Sequence, residues 1–196
     1  MNQSVFLESV DFNYLNDALI DKIIDKYPFT FFNHDMALMD DLTMIGTDVI
    51  AKMQAYNEQV ITGGIVGSSE ELALESIEYK INLDNEFRGF LFNTKLKKES
   101  LKKIDNLLNQ KLCLILLLPF NHDDELKAKA EELRNDISID DTTFEGMERL
   151  NLMVLYDALA PLIDYFKQHN RLNIINTINK THEEVFKEVC QVIDNT

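Results

Sequence analysis

The chain has 196 residues, 45% of them hydrophobic, enough for one substantial core and too many for a disordered protein. Its 34 acids against 19 bases give a net charge of −15, a field that repels phosphate backbones and anionic membrane surfaces and attracts basic partners. Six glycines and three prolines are few for many short strands joined by tight turns, so the composition points to long helices.

The charge is unevenly spread. Residues 1–92 carry 16 acids against 5 bases, residues 93–134 carry 7 against 9, and residues 135–196 carry 11 against 5. The first segment is therefore where contact with a basic partner is expected. Cys113 and Cys190 form no CxxC pair and stand in apolar contexts, as buried free thiols of a reducing compartment do. The opening residues lack the basic and apolar regions of a signal peptide, and Leu112–Leu118 is far shorter than the ~20 residues that span a bilayer. The expected location is the cytoplasm, of a bacterium or of a host cell, with no membrane association.

In chain order, Phe12, Leu15, Leu19, Ile23 and Ile24 recur at helical spacing after a capping Asp11, and Pro28 ends that helix. Asn33 is placed to cap a second helix, with Asp35 in its first turn. Met39, Leu42, Gly46, Val49, Met53, Tyr56 and Val60 follow in steps of three and four, a heptad seam that packs inside the monomer or joins two copies through the 39–60 helix. Thr62-Gly63-Gly64-Ile65-Val66-Gly67 breaks the pattern. No Lys-Ser or Lys-Thr follows it, and Glu70 and Glu71 sit where a phosphate would, so it reads as a hinge.

Ser68 and Glu71 form a capping box that opens a helix through Leu72, Ile77 and Ile81. Lys95, Lys97, Lys98, Lys102 and Lys103 make a basic cluster without interleaved aromatics, a poor platform for single-stranded nucleic acid. Leu112–Leu118 is seven unbroken apolar residues. It reads as the end of a helix from residue 100, because leucine favours helix, or as a buried strand with Phe87–Phe92 as its partner. A polar helix over 123–135 carries Leu126, Ala130 and Leu133. A long helix follows through Met147, Leu150, Val154, Leu155, Leu159, Leu162 and Phe166, with Pro161 inside it. Thr181 and Glu184 box a terminal helix bearing Val185, Phe186, Val189 and Val192. The expected fold is one all-α domain over 1–196, a compact bundle of about seven helices. The alternative is an α+β fold with a short strand at 112–118.

Two steps carry candidate chemistry. Phe-Asn-His-Asp occurs at 32–35 and again at 120–123, so His34, Asp35, His122 and Asp123 could share a metal ion. A His-Asp step on a helix resembles the core of the HD-type metal-dependent phosphohydrolases, which implies an all-helical hydrolase as an alternative. A local explanation also suffices: asparagine caps a helix and aspartate favours its positive end. Glu75/Glu78 and Glu145/Glu148 stand one helical turn apart, as in helical Mg²⁺-dependent pyrophosphatases, yet such pairs arise readily on solvated faces of an acidic protein.

The reading is a noncatalytic acidic helical protein, without cofactor, that binds and inhibits or regulates a basic, nucleic-acid-handling protein or complex, with no direct contact to nucleic acid. Charge attraction followed by burial of a few anchors would be the mechanism. The partner contact is expected at Asp35, Asp40, Asp41, Asp48, Glu70 and Glu71. The further alternative is a structural subunit that assembles through the 39–60 seam.

Overall fold

The computed structural model describes residues 4–10, 17–33, 74–75, 77–79, 81–82, 89–93, 96–135 and 144–195. Its elements are β1 (Ser4–Ser9), α1 (Asp17–Lys26), β2 (Thr30–Asn33), β3 (Phe90–Asn93), α2 (Lys98–Leu107), β4 (Leu112–Leu118), α3 (Asp123–Asn135), α4 (Phe144–Gln168), β5 (Leu172–Asn176) and α5 (His182–Asn195). Helical backbone is also present at residues 74–75, 77–79 and 81–82. The strands form a five-stranded parallel sheet in the order β2-β3-β1-β4-β5.

The fold is therefore α/β, and the all-α bundle of about seven helices is overturned. Leu112–Leu118 is a strand, and it belongs to a parallel sheet with helical crossovers. Every one of its seven residues is buried. A helix with one apolar stripe leaves some of them in water, whereas a central parallel strand covered on both faces reads as a continuous apolar run. Low glycine and proline content misleads for the same reason: parallel strands are joined by helices rather than by tight turns.

Packing divides the chain into two units, Met1–Ser4 with Phe29–Leu112, and Val5–Pro28 with Cys113–Thr196. In the first unit, β2 and β3 pair from Thr30↔Phe90 to Asn33↔Asn93. Asn33, read as a helix cap, is instead the last residue of β2. Gly89 has φ 94°, a left-handed conformation that glycine enters without steric cost, and its carbonyl accepts the Thr30 N–H at 3.0 Å. Phe32 stacks on Phe92 with centroids 5.2 Å apart, and the Ser4 hydroxyl accepts the Phe90 N–H at 3.2 Å. Leu74, Ile77 and Ile81 are buried at helical spacing. The 39–60 seam, the 62–67 glycine stretch and the Ser68–Glu71 box lie outside the described residues.

α2 buries Leu101, Ile104 and Asp105, and the chain then turns through Asn109 and Gln110, both with positive φ (54° and 61°). Asp105 holds this turn. Its Oδ1 accepts the Leu112 N–H at 3.3 Å and its carbonyl accepts the Gln110 N–H at 2.8 Å.

In the second unit, β4 pairs β5 from Leu114↔Leu172 to Leu118↔Asn176. The Val10 N–H, just past β1, reaches the Leu117 carbonyl at 3.0 Å. α3 packs on α4 and α1 packs on α5. α3 buries Leu126, Ala130 and Leu133, as the spacing predicts, and α4 contains Pro161. Among the described residues, no helix is long and apolar enough to cross a membrane.

The Thr181 capping box forms as expected. The Thr181 hydroxyl accepts the Glu184 N–H at 3.3 Å, and the Glu184 carboxylate accepts the Thr181 N–H at 2.7 Å. These bonds hold the Glu184 carboxyl below its ordinary value. Replacing Thr181 by alanine is expected to cost about 1 kcal/mol, read as a lower urea midpoint at unchanged slope.

α1 and α5 are joined by polar contacts. Lys22 pairs with Glu183 at 3.0 Å, and the Tyr27 hydroxyl donates to Asp194 at 2.8 Å and reaches the Cys190 carbonyl at 3.2 Å. Burial, then the bond to Asp194, push the Tyr27 phenol up from 10.0 to about 12. A raised folded pKa means that its contribution is complete below pH 10 and is lost as pH rises through about 12. The bond from Lys22 lowers the Glu183 carboxyl, so its contribution, with that of Glu184, is complete above pH 4.5 and is lost as pH falls through the lower folded values. Ultraviolet titration of the six tyrosines is expected to show a midpoint near 12 that disappears in Tyr27→Phe. A titration in which that variant changes nothing would contradict the contact.

Candidate functional site

Loops at the carboxyl ends of parallel strands are where α/β sheets hold their ligands. In the second unit that edge consists of Ser9 and Val10 at the end of β1, residues 119–122 after β4, and Asn176 and Thr177 at the end of β5. Pro119 stops the apolar run, and Asn121 then bonds across to β5: its side-chain oxygen accepts from the Asn176 amide. The Asn176 oxygen in turn accepts the Ile178 N–H at 2.6 Å. The two asparagines clamp the β4 loop to the β5 loop.

α3 begins at Asp123, with Asp124 and Glu125 in its first turn beside the positive end of the dipole. The second Phe-Asn-His-Asp copy therefore does open a helix, but Asn121 is spent on Asn176 and the cap position falls to His122, whose carbonyl accepts the Glu125 N–H at 3.2 Å. The His122 side chain is exposed. Asp123 is bound by Lys167 of α4 at 2.7 Å, and this bond, the largest cause, raises the lysine's pKa. A carboxylate oxygen occupied by an ammonium is poorly placed to ligate a metal. Among the described residues, no group of three His, Cys, Asp or Glu side chains stands close enough to hold a metal ion. His34 and Asp35, the other half of the expected set, lie outside the described residues, directly after β2. His122→Ala is expected to shift stability by less than about 0.5 kcal/mol, as an exposed position does, with no change in the metal content of the purified protein.

The second unit also concentrates the charge. It holds 21 acids against 10 bases, a net of −11 out of −15. Six of its bases are already matched: Lys22 to Glu183, Lys26 to Asp194, Lys129 to Glu132, Arg134 to Asp157, Lys167 to Asp123 and Lys180 to Glu188. Asp21, Asp25, Asp124, Glu125, Glu131 and Asp164 are exposed and form no ion pair among the described residues.

The solvent face of α4 adds an apolar strip to this acidic surface. Val154, 69% exposed, Ala158 and Pro161 recur at helical spacing, bordered by Asp157 and Asp164. Half-buried Tyr156 has its phenol raised by burial, with Glu131 and Asp164 close enough to raise it further. Asp35, Asp40, Asp41, Asp48, Glu70 and Glu71, expected to meet the partner, all lie outside the described residues.

Sequence spacing could not reveal the Asn121–Asn176 clamp or the Lys167–Asp123 pair, whose members are 55 and 44 residues apart. The sequence placed Val154 with Leu150, Leu155 and Leu159 on the apolar face of its helix, whereas it is exposed in the structure. Comparison with known proteins finds no family model and no curated protein that matches the chain, so the function is argued from these residues alone.

Proposed function

We propose that the protein is a noncatalytic acidic α/β domain that binds a basic, nucleic-acid-handling protein and occludes the surface that protein turns towards nucleic acid. The observation that carries this reading is the α4 face, where the exposed Val154, Ala158 and Pro161 run beside Asp157 and Asp164, in a unit of net charge −11. A small apolar strip with a charged rim is the anatomy of a specific interface. The unpaired acids steer a basic partner to the face, and burial of the strip then slows its release. Asp35, Asp40, Asp41, Asp48, Glu70 and Glu71 extend the acidic surface in this proposal, as sequence charge rather than as located contacts.

Capture by the immobilised full chain from an extract of its own source tests the reading. The expected result is retention of a basic, nucleic-acid-handling protein at low salt and its release as salt rises, since screening shortens the reach of exposed charges. Nucleic acid added as a competitor should displace the protein from that partner. Failure to retain any basic protein at low salt removes the motive for the proposal.

A further inference from the structure

β5 stands at the end of the strand order, and its bonds to β4 determine which of its backbone groups remain. The Leu114 N–H donates to the Arg171 carbonyl at 2.9 Å and the Thr177 N–H donates to the Leu118 carbonyl at 2.8 Å, so the odd-numbered residues 171–177 face β4. The N–H and C=O groups of Leu172, Ile174 and Asn176 turn the other way, where no described strand pairs with them. Edges that stay single carry charge, proline or a bulge. Leu172–Asn176 has no charged residue and no proline, and its register with β4 is unbroken.

An open groove of about 780 Å³ runs beside this edge, between Asn173, Ile174 and Ile175 on the strand and Lys187, Glu188 and Gln191 on α5. The charges that line it balance, with Arg171 and Lys187 against Glu184 and Glu188. That balance separates it from the rest of a unit with net charge −11.

We infer that the β5 edge is a dimerisation surface for a second copy of this chain. The two β5 strands pair antiparallel about a two-fold axis at Ile174, so that Ile174 meets its own counterpart and Leu172 meets the counterpart of Asn176. The sheet then runs continuously through both copies. A second copy is the occupant that the charges favour. A basic protein is drawn to the unpaired acids elsewhere, whereas two chains of charge −15 repel each other least where the lining charge is zero. An isologous contact also needs a self-complementary patch, and this one is lined in each copy by two cations and two carboxylates, of which Glu188 is held by Lys180 and Glu184 by Thr181. The inference does not rest on the partner-binding proposal or on the 39–60 seam.

Sedimentation of the full chain over about 1–200 µM tests it, because an assembly of this kind is governed by mass action. The expected result is a mass that rises from 22.7 kDa towards twice that value. Ile174→Pro removes an outward N–H without touching the ladder to β4 and is expected to hold the chain monomeric. Lys187→Glu, at an exposed position, takes the lining charge to −2 and is expected to weaken association about tenfold at low salt, with recovery as salt rises. This second variant carries the test if the proline variant does not fold. A wild-type chain that stays monomeric throughout overturns the inference and gives the edge to an extended segment of another protein. A dimer that neither variant weakens overturns it as well.

Discussion

Replacing Leu116 by alanine is expected to lower the stability of the protein by about 2–5 kcal/mol, a large share of the ~5–15 kcal/mol that holds a domain folded. Leu116 is fully buried at the middle of β4, and its neighbours Ile115 and Leu117 are fully buried on the opposite face. The substitution removes the transfer free energy of the deleted carbons and leaves a cavity that a strand clamped on both sides cannot collapse into. Val154→Ala on α4, at 69% exposure, is the matched control and should change stability by less than about 0.5 kcal/mol. Chemical denaturation of the two variants reads both effects as shifts in midpoint. Equal shifts would mean that β4 is not the centre of the core.

Asp105→Ala is expected to cost about 1–3 kcal/mol through one lost acceptor. The carboxylate is fully buried, and the Leu112 N–H that it accepts is the first donor of the central strand. Alanine leaves that donor without its partner at the point where the chain has just passed through Asn109 and Gln110 in left-handed conformations. Left-handed backbone is unfavourable for a residue with a Cβ, more so for glutamine than for asparagine, so the turn depends on bonds that hold it closed. Asp105→Asn keeps an oxygen at the acceptor position and should cost less than alanine. Amide exchange at Leu112 is the local readout, and unchanged protection there in the alanine variant would contradict the role assigned to Asp105.

The helices were largely legible in the sequence, because their signals are local. Leu126, Ala130 and Leu133 at spacings of four and three gave α3, and the Thr181–Glu184 box gave the start of α5. The strands were legible only where they are most apolar. Leu112–Leu118 was seen, yet an unbroken run has no period to separate helix from strand, and leucine tilts such a run towards helix. β1, with Ser4 and Ser9 buried among apolar residues, and β5, with two asparagines in five residues, show neither clean alternation nor a continuous apolar run. Their place in the sheet comes from partners far along the chain, and spacing within a strand does not encode a partner.

The candidate site was less legible than the fold. The sequence located its acidity by segment, in residues 1–92, whereas folding brings residues 5–28 together with residues 113–196 in a unit of net charge −11. Which acids remain open to a partner depends on which lysines and arginines fold back onto them, as Lys22 does onto Glu183 across 161 residues. The two His-Asp steps kept their interest as markers of strand ends. Lys167 beside Asp123 weakens the second of them as a metal ligand, and the first lies outside the described residues.

The most direct measurement of the central claim compares partner capture by the wild-type chain with capture by a variant neutralised at Asp21, Asp25, Asp124, Glu125, Glu131 and Asp164, across a salt series. These side chains are exposed and unpaired among the described residues, so their amides should leave the fold intact. The predicted result is a basic, nucleic-acid-handling protein held by the wild-type chain at low salt, released as salt rises, and lost or strongly weakened on the neutralised variant. Equal retention of that partner by both chains, or no basic partner on either, would contradict the account.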